Sequence, residues 1–198
     1  MNTSTITADT EIDADPQKYF WLFIYVLIMA VGALPLFGFR IPQVFPYIPT
    51  LVVHEFAAFA FVGHTFFSNI WSLRIRRTQP LEFGIWARGH MRILCLSVTG
   101  PMAVITPVAG LMVVENWGGL AGAPWAWDAY VSFWIMCAIS VVPDVIRYAR
   151  NHNADKPMHG MISGGIRAMV ATVLTFYIMV TMMAKVSLIS DLLGRSPF

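Results

Sequence analysis

A chain of 198 residues that is 57% hydrophobic and 12% charged departs from soluble proteins, where charged residues make up about 25%. A net charge of +2 is too small to attract nucleic acid, and no nucleic-acid partner is expected. Apolar runs of roughly 20 residues, each long enough to cross a bilayer as a helix, predict an all-α integral membrane helix bundle with five transmembrane helices.

In chain order, residues 1–18 read as a flexible polar tail. Asp9, Glu11, Asp13 and Asp15 precede Lys18, whereas a cleaved signal peptide begins with basic residues, so the first span is expected to be retained. That span is Tyr19–Phe39. Arg40–Pro49 holds Pro42, Pro46 and Pro49 and is predicted to be extended and stiff. The second span is Thr50–Leu73, followed by a loop with Arg74, Arg76, Arg77, Arg88 and Arg92. Pro101 and Pro107 should bend the third span, Met91–Val114, and free carbonyls toward the interior. Asn116–Pro124 is rich in Gly and Ala, with Trp117, Trp125 and Trp127 where an aromatic belt would lie.

The fourth span is Trp127–Ile146. It ends in Pro143-Asp144, and Arg147 stands at a spacing that permits an ion pair. The next loop carries Arg147, Arg150, Lys156 and Arg167, with His152 and His159 as solvated loop residues. The fifth span, Gly164–Leu188, opens on a face of small residues, Gly164, Gly165, Ala168 and Ala171, that admits a close neighbour. It also bears Met161, Met169, Met179, Met182 and Met183, adaptable packing residues whose thioethers also suit Cu(I). Cys95 and Cys137 lack CxxC spacing and read as packing residues.

The two basic loops are cytoplasmic by the positive-inside rule, and the Trp-Gly loop is outside. The N-terminus is then expected to be cytoplasmic and the C-terminus periplasmic, and a bacterial inner membrane is the expected location. Topology accounts fully for the basic character of those loops.

The second span is unusual in carrying ionisable groups at membrane depth, where each costs a few kcal/mol even on the lenient insertion scale. At about 100° per residue, His54, Glu55, His64, Thr65, Ser68 and Asn69 share one half of the helix. Phe56, Phe59, Phe66, Phe67 and Ile70 occupy the other. His54 and His64 stand about 15 Å apart along the axis, too far to ligate one ion. Ser97, Thr99 and Thr106 of the third span are available as partners. No HExxH, GxSxG, P-loop or CxxC occurs, and whether the chain is an enzyme stays open.

The run His54-Glu55-Phe56-Ala57-Ala58-Phe59-Ala60-Phe61-Val62-Gly63, continuing to Phe66, Phe67 and Trp71, resembles the first core helix of a group of bacterial four-helix membrane proteins. The group comprises the copper-resistance D type, the haem-dependent membrane protoporphyrinogen oxidases, the membrane part of certain urate oxidases, and their uncharacterised relatives. Thr106-Pro107-Val108-Ala109-Gly110-Leu111 resembles their next helix, and Trp125 and Trp127 their outer loop. Ser68-Asn69-Ile70-Trp71 departs from the Arg that the protoporphyrinogen oxidases carry after the aromatics. The resemblance implies a four-helix core over residues 50–190, preceded by an extra helix over 19–39. It also implies a b-type haem or metal role for His54.

Three readings follow. The first is a redox or metal-handling module holding b-type haem or copper at His54, with Glu55 beside it, or at His64, paired with His90 or His159. The second is an accessory subunit, or a homo-oligomer, whose polar stripe, including Thr65 and Asn69, is satisfied by partner helices. The third is a small proton- or cation-coupled transporter using Glu55 and the histidines.

Overall fold

The computed structural model describes residues 18–143, 146 and 161–193. The tail before residue 18, the Asp144–Arg147 pair, His152 and His159 lie outside them. All regular structure in the described residues is helical: α1 (Lys18–Ala33), α2 (Tyr47–Thr78), α3 (Leu81–Leu94), α4 (Gly100–Val114), α5 (Gly119–Gly122), α6 (Pro124–Met136), α7 (Met161–Ala184) and α8 (Leu188–Leu193). Among the described residues, four helical stretches are long and apolar enough to cross a membrane: Tyr19–Phe37, Tyr47–Thr78, Ser97–Trp117 and Ser163–Ala184. The fourth predicted span, which falls on α6 and the turn after it, is not one of them.

Prolines set the helix boundaries. Pro42 and Pro46 are non-helical as expected, but Pro49 lies in the first turn of α2, where its missing N–H has no bond to lose. At the far end Arg76 and Arg77 occupy the last turn of α2, where positive charge favours the helix dipole. The predicted loop over Arg74–Arg92 is almost entirely helical, broken only at Gln79–Pro80. Hydropathy marks where apolar surface ends, whereas Arg, Glu and Leu continue a helix readily.

Two π-helical turns interrupt the long helices. Cys95–Thr99 joins α3 to α4, and Cys137–Val141 continues α6. Each falls just before a proline, Pro101 or Pro143, which has no N–H for the carbonyl four residues back, and the wider turn absorbs that defect. The last span stops at Ala184 rather than Leu188, because Lys185 adopts a left-handed conformation (φ 56°) that ends the helix.

Helix α2 packs on α4, α6 on α7, and α1 on α4. Phe61 of α2, Phe133 and Met136 of α6, Cys137 and Ala171 of α7 form the buried centre, with Met29 of α1 and Met102 of α4 against them. The N-terminal helix is thus integral to the bundle. The Tyr130 hydroxyl donates to the Gly32 carbonyl at 2.9 Å, and the Tyr25 ring lies against Gly100, where a Cβ would come within 3.1 Å of it. Phe56, Phe59, Phe66, Phe67 and Ile70 are exposed, leaving the aromatic half of α2 outward.

Asp128, fully buried at the start of α6, secures α8. Its carboxylate accepts from Ile189 N (2.8 Å), Ser190 N (3.3 Å), Ser190 Oγ (2.8 Å) and the Tyr177 hydroxyl (3.2 Å). It thereby holds the first turn of α8 against α6 and α7. Asp128→Ala leaves buried donors unpaired and is expected to cost about 2–3 kcal/mol, read by thermal unfolding. Backbone hydrogen exchange over residues 188–193 should accelerate with it; unchanged exchange there would remove Asp128 as the anchor.

Candidate functional site

The polar half of α2 meets two neighbours. Near its Tyr47 end, His54 Nδ1 lies 2.8 Å from the Thr106 carbonyl oxygen. A carbonyl only accepts, so Nδ1 carries the proton, and in the neutral ring Nε2 keeps its lone pair. The ring seats directly on Gly110. A Cβ there would fall 2.7 Å from His54 Cε1 and 2.9 Å from Nδ1, closer than any side chain tolerates. Thr106 supplies its carbonyl one turn from Gly110, while its own hydroxyl is turned back to Met102 O at 2.7 Å. The Thr106–Gly110 motif of α4 is therefore a seat for the imidazole of α2.

Gly63 of α2 has no such contact. A Cβ on it would meet nothing within 4 Å, so space does not explain it.

An open apolar groove flanks the His54 contact, lined by Val52, Val53, Phe56 and Ala57 of α2 and by Met102 and Ile105 of α4. Val53 and Ile105 immediately precede His54 and Thr106. Glu55 is exposed, and its charge is felt by both His54 and Lys185. The Lys185 ammonium sits 3.5 Å from the Trp125 ring centroid and 5.6 Å from that of Trp117, a cation–π arrangement. Trp117 makes edge contacts with Trp125 and Tyr47 at 5.8 and 6.3 Å. Partial desolvation lowers the Lys185 pKa from its ordinary value, and Glu55 opposes that shift.

Further along α2, His64 Nδ1 lies 2.6 Å from the Thr99 hydroxyl, at the end of the first π turn. Asn69 Nδ2 donates to Thr172 Oγ1 at 2.6 Å and to Ala168 O at 3.2 Å, tying α2 to α7. Thr65 is half-buried, and its carbonyl accepts from Ser68 Oγ at 3.1 Å. His90 is exposed and stacks on Trp86 with centroids 4.2 Å apart. His64 and His90 thus have different partners. Among the described residues no three His, Cys, Asp or Glu side chains gather as a metal-binding group.

Thr99 and Thr106 are readable in the sequence as available partners, but not the carbonyl of Thr106 as the acceptor. Asp128 and the Lys185–Trp125 contact were missed. Their only signals were one acidic residue within an apolar, Trp-rich run and one lysine at the end of the last span.

Gly110→Ala is expected to drive the His54 ring off Thr106 and to lower stability by about 1–3 kcal/mol, as overpacking does. Gly63→Ala should be neutral or slightly stabilising, since it only gains helix propensity. Thermal unfolding of the pair checks this, and equal effects would show that the His54 seat is not tight. Comparison with protein families, characterised proteins and solved structures finds no match to this chain.

Proposed function

We propose that the chain is a multi-pass protein of the bacterial inner membrane holding one b-type haem on His54, serving electron transfer. In this reading the segment of α6 and its π turn is a fifth crossing beside the four long apolar helices. The basic residues after α2 and before α7 face the cytoplasm, by the positive-inside rule. The N-terminus is then cytoplasmic, and the Tyr47 end of α2, with His54, lies toward the periplasm.

The observation that carries the reading is the His54–Thr106 bond. An imidazole that donates its Nδ1–H to a backbone carbonyl and keeps Nε2 free has the arrangement of a metal-ligating histidine, oriented and made more basic by its partner. The donor set favours haem over copper. A copper ion needs several protein donors, and among the described residues no three His, Cys, Asp or Glu side chains gather at His54. A haem brings four nitrogens and requires one from the protein. When bound, it supplies one-electron redox chemistry at its iron.

The chain's residues then divide the work. His54 ligates, Thr106 fixes the ring, and Gly110 gives it room. Val53, Phe56, Met102 and Ile105 offer apolar walls, while Glu55 and Lys185 set the charge at that end. His64 and Asn69 find partners inside the chain, so the polar half of α2 does not require a companion subunit, which weighs against an accessory role.

Protein purified in mild detergent is expected to show a Soret band that sharpens on dithionite reduction, with near-stoichiometric iron. His54→Ala should abolish the band and His64→Ala should keep it. Colourless, metal-free protein arriving with other chains would overturn the haem reading in favour of an accessory subunit.

A further inference from the structure

The opposite end of α2 carries a second site, whose reading rests on the membrane-spanning arrangement above. With 32 residues, α2 runs about 48 Å at 1.5 Å per residue, longer than the hydrocarbon layer of about 30 Å. If Tyr47, in contact with Trp117, marks one interface, Ser72 lies about 37 Å along the axis. That is the headgroup layer of the other face.

At this depth a cavity of about 70 Å³ opens between α2 and α3. Trp71, Ser72, Ile75 and Arg76 wall one side, Gly84 and Ala87 the other. Gly84 leaves it open, since a Cβ there would meet nothing within 4 Å. The Ser72 hydroxyl has no hydrogen-bond partner among the described residues, and Arg76 no carboxylate partner among them. Gly165 of α7 leaves room for the Arg76 guanidinium, whose Nη1 lies 2.9 Å from where its Cβ would be. Trp71 lines the opening and is exposed, as are Phe83 and Trp86 beside Gly84 and Ala87 in the α3 sequence, side chains suited to the interface. Topology explains why arginines are present on this side. It does not explain a cavity walled by Arg76 and by Ser72, whose hydroxyl has no partner among the described residues.

We propose that this cavity binds the phosphate of one anionic phospholipid headgroup. Arg76 and Ser72 donate to the phosphate oxygens, charge-assisted bonds of the strong class. Basic pockets between helices at a cytoplasmic face take anionic headgroups in this way. Trp71 and Trp86 lie where the glycerol region would pass.

The full chain in mild detergent is titrated with phosphatidylglycerol, phosphatidylcholine or inorganic phosphate, and bound molecules are counted by native mass spectrometry. One phosphatidylglycerol is expected, with phosphatidylcholine about tenfold weaker, because its choline cation, beside an identical phosphate, opposes the Arg76 charge. Arg76→Gln and Ser72→Ala should each weaken phosphatidylglycerol by a similar factor. Gly84→Leu, which fills the cavity at unchanged charge, should abolish it, while Arg74→Gln and Arg77→Gln bind as wild type. Should Arg76→Gln fail to fold, Ser72→Ala and Gly84→Leu decide the matter. Equal binding of phosphatidylcholine, equal binding of free phosphate, or equal losses at Arg74 and Arg77 would each overturn the site. Release of the protein from membranes by a carbonate wash would instead overturn the membrane-spanning reading on which it rests.

Discussion

The contact between the His54 ring, the Thr106 carbonyl and Gly110 fixes how α2 and α4 lie together. In apolar surroundings a polar group without a partner costs several kcal/mol, so an imidazole on an apolar helix dictates what faces it. Here it requires an acceptor at 2.8 Å and a neighbour without a side chain. The same demand is met further along α2 by Thr99 for His64 and by Thr172 for Asn69. Those three bonds set the register of α2 against α4 and α7, and the apolar centre around Phe61 packs between them.

The sequence made the polar half of α2 legible because one helical period sorts it from the phenylalanines, and the exposed positions of Phe56, Phe59 and Phe67 follow that sorting. Helix limits were less legible. Hydropathy ends near Leu73, yet α2 continues to Thr78 and α3 begins at Leu81, since arginines stop apolar surface without stopping a helix. The π turns before Pro101 and Pro143 follow from missing N–H groups, but a bend was all that the prolines announced. Gly110 was visible only as part of a motif; its purpose, room for a ring from another helix, depends on a contact 56 residues away in sequence from His54. Asp128 was hidden for the same reason, its partners lying about 60 residues further on.

The bundle therefore has two chemically distinct ends. Near His54 the chain gathers an oriented imidazole, an exposed carboxylate, and a lysine laid on tryptophan. Asp128 anchors α8 to α6 and α7, just beyond that lysine in the chain. At the other end Trp71, Ser72 and Arg76 line a small cavity. The first is the end proposed to hold haem, the second the end proposed to bind an anionic headgroup. Both ends are carried by α2.

Electron paramagnetic resonance of the protein as purified, in its oxidised state, tests the role of His54 most directly. A single ferric haem with one imidazole is expected to give an axial high-spin signal that vanishes in His54→Ala. A low-spin bis-imidazole signal, a copper hyperfine pattern, or no paramagnetic centre at all would contradict the assignment of His54 as the sole protein ligand to a b-type haem.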